Sequence, residues 1–283
     1  MKTNKWIKVA LFASFAALIF QACSKDDDQV MQETNKQNFN VRPDFATVDN
    51  RPAEVIANFQ VTAKDATPVM LSKKATKGGK YAVVIGISDY DGTANDLEYC
   101  DDDANDWKAR LQAEGYSVTS LTDRNATMSA IEAAVNNLAS LSIAGNEIAF
   151  CYSGHGSRGN IISTDLYYIS SSWFQTKFAN STSTKMYFSF DACQIGAMAT
   201  SLNANGRVIA VASSKNTYSY DGDATMQNGV FTYYQMEGFD QVGYIYAEPD
   251  CQYAIDEMKA WAKLHHVRVA PSYVDSYVGD LDL

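Results

Sequence analysis

The amino-acid sequence predicts an α/β fold, a mostly parallel β-sheet flanked by helices on both faces. Three observations carry that expectation. Beyond residue 80, five short apolar runs read as strands buried on both sides, and segments with helical spacing alternate with them. Alternation at these lengths makes parallel neighbours, because a parallel connection needs a crossover of a dozen or more residues. The composition is that of an ordinary globular protein, 46% hydrophobic and 20% charged over 283 residues, which suits neither wholesale disorder nor a fibrous repeat.

Tyr81-Ala-Val-Val-Ile-Gly86 is the first strand. Ala104, Trp107 and Leu111, at spacings of three and four, predict a helix that stops at Gly115. Ser117 to Leu121 is the second strand. Thr127 is the N-cap of a second helix that carries Ile131, Val135 and Leu138 along one face. Glu147–Tyr152, Lys185–Phe190 and Val208–Ala212 are strands three, four and five, and helical patterns cover Val230–Glu237 and Gln252–Lys263. Together these elements make a single domain over 80–283, of a length usual for one domain. No internal repeat is visible.

The residues before the domain read differently. Lys2, Lys5 and Lys8 precede the apolar run Val9–Phe20 and then Gln21-Ala22-Cys23. That run is shorter than the ~20 residues that span a bilayer, and it suits the core of a signal peptide. The expectation is a signal peptide over 1–22 that resembles those of bacterial lipoproteins, with Cys23 becoming the lipid-modified first residue. Phe20 and Gln21 stand where such signals usually carry Leu and a small residue, and plain secretion after Ala22 is the alternative. Ser24-Lys-Asp-Asp-Asp28 resembles the acidic export tag of surface lipoproteins in Bacteroidetes-type bacteria, its plainer reading being a solvated spacer. The implied location is the outer membrane or cell surface of a Gram-negative bacterium, with membrane contact through the lipid alone; the alternative is a secreted or periplasmic protein. Residues 23–79 read as a tether or pro-segment. Pro43, Pro52 and Pro68 interrupt them, and Lys73, Lys74, Lys77 and Lys80 make a basic hinge around Gly78-Gly79. Removing 1–22 takes away three lysines and no acids, so the formal charge goes from −10 to −13. A chain this acidic lacks the basic stripe that neutralises phosphates, so nucleic acid is not an expected partner.

In open parallel sheets, sites form at the carboxyl ends of strands. Strand three ends in Tyr152-Ser-Gly-His-Gly-Ser157 and strand four in Asp191-Ala-Cys-Gln-Ile-Gly196. If the two strands are neighbours, His155 and Cys193 face one crevice. A thiol with an ordinary pKa of ~8.5 is a few per cent thiolate at neutral pH, and a nearby imidazole activates it and later protonates the leaving amine. Gly154 and Gly156 let the backbone turn tightly about the histidine, so that a main-chain N–H can point at an oxyanion. A single cysteine in a globular chain is usually buried filler, as Cys151 inside strand three is expected to be. The adjacent His265 and His266 read as a solvated helix end. Matched chemistry at two strand ends sets His155 and Cys193 apart.

These strings resemble the caspase-fold cysteine peptidases, closest to the metacaspases and their bacterial relatives. The resemblance spans about 78–283. It includes Tyr81-Ala-Val-Val-Ile-Gly-Ile87, Leu97-Glu-Tyr-Cys-Asp-Asp-Asp-Ala-Asn-Asp106, Leu121-Thr-Asp123 and Asn228-Gly-Val-Phe-Thr232. It implies a caspase-like sheet, Cys193 as nucleophile, His155 as general base and acid, and an oxyanion hole from the N–H groups of Gly156 and Cys193. It also implies cleavage after Arg or Lys, with Asp103, Asp191, Ser153 and Cys100 at the positions that bind the substrate. A carboxylate pair can hold a guanidinium through charge-assisted, partly bidentate hydrogen bonds, whereas a pocket for Asp would need arginines. Asp101, Asp102 and Asp106 read equally well as an acidic helix start.

Two departures from the metacaspase pattern stand out. The segment Gly159–Thr164 after the histidine is short and uncharged, with only Asp165 following, where calcium-dependent members carry an acidic loop. Asp89-Tyr-Asp91-Gly92 and Asp221-Gly-Asp223 look like the start of calcium loops. Their twelfth positions are Cys100 and Thr232, so neither supplies the closing glutamate. No metal or other cofactor is expected. Gln194 replaces the histidine that often follows the nucleophile. With Cys23 and Cys193 assigned, Cys100, Cys151 and Cys251 allow at most one disulfide, and nothing in the sequence pairs them. Lysines in the 73–80 hinge, and Lys177 and Lys185 between the histidine and cysteine strands, are candidate points of self-processing. The expected partners are peptides or proteins with basic residues. The alternatives are a non-catalytic lipoprotein that uses the fold to bind peptides or host proteins, and an enzyme of the same fold that cuts after Asp.

Overall fold

The computed structural model of the protein describes residues 78–91 and 95–283. The expected signal peptide, Cys23, the acidic run and the tether up to residue 77 lie outside these residues. Among the described residues no helix is long and apolar enough to cross a membrane.

Six strands form the main sheet in the order β2-β1-β3-β7-β8-β9. β1 (Lys80–Gly86), β2 (Ser117–Thr122), β3 (Glu147–Ser153), β7 (Lys185–Asp191) and β8 (Arg207–Val211) are the five predicted strands, within a residue or two at each end. All pair in parallel, and β9 (Ser272–Asp275) closes the far edge antiparallel to β8. The sheet is therefore mostly parallel, as its apolar runs require.

Alternation along each strand feeds two cores. Val83 and Ile85 of β1 and Phe188 and Phe190 of β7 pack with Ile131, Val135 and Leu138 of α2 (Met128–Leu141). Ala82 and Val84, with Tyr187, face Trp107 and Leu111 of α1 (Cys100–Ala113) on the other side. The same second face takes Phe231 of α5 (Val230–Glu237) and Met258 of α6 (Ala247–Leu264). Thr127 caps α2 by accepting the N–H of Ala130 at 3.3 Å, and Gly115 adopts φ +86° just beyond α1. Pro249 lies in the first turn of α6, where a missing N–H costs nothing, so the helix starts five residues before its apolar periodicity is evident.

Four features were not predicted. β4 (Gly156–Ser157), β5 (Asn160–Ile162) and β6 (Tyr168–Ser170) form a small antiparallel sheet right after the histidine. α3 (Ser171–Lys177) follows it, α4 (Ala197–Leu202) follows the cysteine, and β9 ends the sheet. Each is too short to establish a period.

Candidate active site

β3 and β7 are adjacent and parallel, with Ser153 opposite Asp191 as the last pair in register. His155 and Cys193 each follow two residues later, so the register carries both to the same end of the sheet. There the chains remain in contact. Gly154 N–H donates to Asp191 O at 3.2 Å, and Gly159 N–H donates to Gln194 O at 2.8 Å. Gly156 packs directly on the backbone of Cys193: a Cβ at this position would stand 2.4 Å from Cys193 O and 3.2 Å from Cys193 N. Only glycine permits that approach. Ile162 N–H donates to His155 O, so Gly156 and Ile161 form the non-hydrogen-bonded kind of antiparallel pair, whose N–H groups point away from the partner strand. The N–H of Gly156 is thereby directed outward beside Cys193.

The histidine is held by both of its main-chain groups. Its N–H donates to the Tyr90 hydroxyl at 2.8 Å, and its carbonyl accepts from the Tyr152 hydroxyl at 2.7 Å. Gly154, at φ +155°, runs so close that a Cβ would stand 2.6 Å from both hydroxyls. Burial raises both phenols above their ordinary pKa, so they remain neutral donors and acceptors. The imidazole lies 4.7 Å from the Tyr90 ring, and its Nε2 is 2.7 Å from the main-chain oxygen of Asn95. Cys193 is 1% exposed, with Sγ 3.7 Å from Ser219 O. Its loop is fixed by Gln194 N–H on Thr217 O and by Ser213, whose hydroxyl donates to Ala192 O and accepts from Ile195 N–H.

Beside this pair lies a narrow crevice walled by Cys100, Ser153, Asp191, Ser219, Asp221 and Gly229. Three of the four predicted substrate-binding residues, Cys100, Ser153 and Asp191, are in its wall. Asp103 stands behind them, fully buried, and accepts hydrogen bonds from Ser153 Oγ at 2.6 Å, Asn228 Nδ2 at 3.0 Å and Gly229 N–H at 3.0 Å. Asp191 accepts from the Ser219 hydroxyl and from the N–H and hydroxyl of Thr232, both at 3.0 Å. Burial raises the pKa of both carboxyls, and their mutual repulsion adds to the rise at Asp103; the surrounding donors offset part of it. Asp221 was not predicted here. It bridges antiparallel to Gly229, and burial, with the charge of Asp191, pushes its pKa up to about 7.

The two calcium-loop look-alikes have other work. Asp89 pairs with Arg124 at 2.7 Å, Asp223 accepts the N–H groups of Thr225 and Met226, and Asp221 turns into the crevice. Asp165 caps α2 by accepting the N–H of Met128 at 2.8 Å. Among the described residues no three His, Cys, Asp or Glu side chains are grouped to hold a metal ion. Cys100, Cys151 and Cys251 are buried thiols. His265 caps the end of α6 against Trp261, and His266 is exposed.

Comparison with known proteins agrees with this architecture. The family model described as Caspase domain matches residues 79–244. No curated protein matches the chain. Among solved structures, protein GSU0716 from Geobacter sulfurreducens superposes with a TM-score of 0.58 at 15% identity, over 72% of this chain and 97% of that one. At that identity the likeness is one of fold.

Proposed function

The chain belongs to the caspase-domain family, and from that premise we propose that it is a cysteine endopeptidase that cuts after Arg or Lys with a Cys193–His155 dyad. The observation that carries this reading is the β3–β7 register, which ends on Ser153 opposite Asp191 and leaves His155 and Cys193 two residues beyond.

The steps start from Cys193 as the reduced thiol; in this structure its sulfur is disulfide-bonded. A carbonyl oxygen can only accept, so the bond to Asn95 O keeps a proton on Nε2 and leaves Nδ1 as the basic nitrogen. Nδ1 takes the thiol proton as Sγ attacks the scissile carbonyl carbon. The oxygen that becomes negative is met by the N–H groups of Gly156 and Cys193, fixed before the reaction by the close packing of their backbones. The imidazolium then returns its proton to the departing amine, leaving a thioester. Water, deprotonated by the same imidazole, attacks the thioester carbon and releases the acid and the thiol.

The acidic crevice supports a basic residue before the cut. Buried carboxylates that face no cation of the protein are disfavoured as charges, and an incoming guanidinium or ammonium relieves that cost. The wall residues contain no arginine that would recognise Asp. Turnover is proposed to need no added calcium, since neither loop-like string supplies the closing glutamate, Asp89 is paired with Arg124, and Asp223 is taken up by the N–H groups of Thr225 and Met226. The mature protein is proposed to be anchored through Cys23 and to act on peptides or proteins outside the cytoplasm.

A peptide chloromethyl ketone ending in Arg tests the assignment, with peptide mapping by mass spectrometry. The expected result is one adduct, on Cys193, that an otherwise identical reagent ending in Asp does not give. An adduct on another residue, or equal labelling by both reagents, contradicts the reading.

A further inference from the structure

We propose that Asp221, together with Asp191, is the carboxylate that contacts the basic side chain of the substrate, and that Asp103 acts from behind as a positioning residue. This rests on the reading of the crevice as a site for Arg or Lys, and it moves the recognition of charge to a residue that the sequence motifs do not single out.

The argument is one of acceptor capacity. An ionised carboxylate offers about four lone-pair sites. At Asp103, Oδ1 accepts from Asn228 Nδ2 and Gly229 N–H, and Oδ2 from Ser153 Oγ and, at 3.2 Å, from the same Gly229 N–H. Nothing is left for a ligand, and the residue is 0% exposed. At Asp191, Oδ2 holds both donors of Thr232, while Oδ1 holds the Ser219 hydroxyl and keeps one site. Asp221 is the opposite case. Its Oδ2 accepts the N–H of Glu98 at 3.2 Å, and its Oδ1 meets only the Cys100 thiol, at 4.0 Å. Most of the unused acceptor capacity of the three carboxylates is therefore at Asp221.

Placement agrees with capacity. Asp221 and Asp191 both wall the crevice, and Asp103 does not. Asp221 is held there by its bridge to Gly229. At that glycine a Cβ would fall 2.5 Å from Asp191 Oδ2 and 2.9 Å from Asp103 Oδ2. The missing side chain thus lets the Asp191 and Asp103 carboxyls close in on one point, while the bridge keeps Asp221, the least satisfied of the three, in the wall of the same crevice. Asp221 and Asp191 come from different segments, so a planar guanidinium can present separate N–H groups to each. Asp103 fixes Ser153 and Gly229, which are parts of the wall.

Steady-state kinetics on an Arg-ended fluorogenic peptide test the proposal. Asp221→Asn is expected to lower kcat/KM by about tenfold to a hundredfold, as loss of a charge-assisted hydrogen bond does, with the loss carried by KM. Alkylation of Cys193 by uncharged iodoacetamide should stay within about twofold of wild type, showing the dyad intact. A kcat/KM within about twofold of wild type, with normal alkylation, overturns the proposal. If wild type cuts no Arg or Lys peptide, the underlying reading fails first, so the two failures are distinguishable. A second measurement needs no variant. Carbodiimide coupling of glycine ethyl ester to wild type should modify Asp221, and an Arg-ended peptide aldehyde should block that modification. Unprotected Asp221 in the inhibited enzyme overturns the proposal independently.

Discussion

The Nε2 atom of His155 lies 2.7 Å from the main-chain oxygen of Asn95. In the proposed mechanism the third member of the catalytic group is thus a backbone carbonyl, not a carboxylate. There it would orient the ring, select the tautomer with a basic Nδ1, and stabilise the imidazolium formed when the thiol is deprotonated. Substitution of the Asn95 side chain leaves this contact in place, whereas changes that move the His155 backbone do not.

Tyr90→Phe is the first such change. It removes the hydroxyl that accepts the His155 N–H and leaves a buried donor without that partner, a cost of about 1–3 kcal/mol. The expected outcome is a lower melting temperature and a fall in kcat of about tenfold at nearly constant KM, because the ring is misplaced but the crevice is not. A rise in KM at constant kcat would refute the positioning role.

Gly156→Ala tests the contact between the His155 and Cys193 segments. The added methyl would stand 2.4 Å from Cys193 O, which is main chain and cannot swing aside. The two segments must separate, and the paired N–H groups with them. We expect kcat to fall by at least about a hundredfold, the loss seen when one oxyanion donor is misplaced. Circular dichroism should stay native. Activity close to wild type would show that Gly156 has no part in the oxyanion site.

Asp250, in the first turn of α6, gives a pH test away from the site. It is 0% exposed, and neither carboxylate oxygen has a hydrogen-bond partner. Burial pushes its pKa up to about 9, against the pull of Arg110. A carboxyl raised above its unfolded value of ~3.9 stabilises the fold most below that value and loses the contribution as pH rises through the folded value. Between pH 5 and 9 wild type should therefore lose stability faster than Asp250→Asn, by up to about 1.4 kcal/mol per pH unit. Parallel thermal melts across that range check the slope, and parallel curves would reject the assignment.

Self-processing is expected in the 73–80 hinge. Lys177 ends α3, and Lys185 opens β7, which pairs with strands on both sides. A peptidase needs an extended segment, and cutting at either lysine would require opening packed structure. Intact-mass analysis should show hinge fragments for wild type and none for Cys193→Ala. Fragments ending at Lys177 or Lys185 would contradict this.

What could be read from the sequence follows from the range of the interactions. The five parallel strands are legible because each apolar run is buried on both faces, and α2 is legible from Thr127 to Leu138 because cap and stripe agree. The β4–β6 sheet is invisible because it is built from pieces of two and three residues that pair only once the chain has turned back at Gly159. His155, Cys193 and Asp191 are legible because strand ends announce them. Asp221 is not, because its place depends on a bridge to Gly229, and its own string looks like the start of a calcium loop. Tyr90 and Tyr152 look like core aromatics, which they are. Their hydroxyls acquire a second task only when the fold brings His155 between them.

The central claim is hydrolysis after a basic residue by Cys193. The most direct measurement is turnover of fluorogenic peptides ending in Arg, Lys and Asp by the purified mature protein, with and without calcium, beside Cys193→Ala. The account predicts release from the Arg or Lys peptide, none from the Asp peptide, no dependence on calcium, and loss of activity in the variant. Turnover of the Asp peptide, turnover that survives Cys193→Ala, or no turnover of any peptide would contradict it.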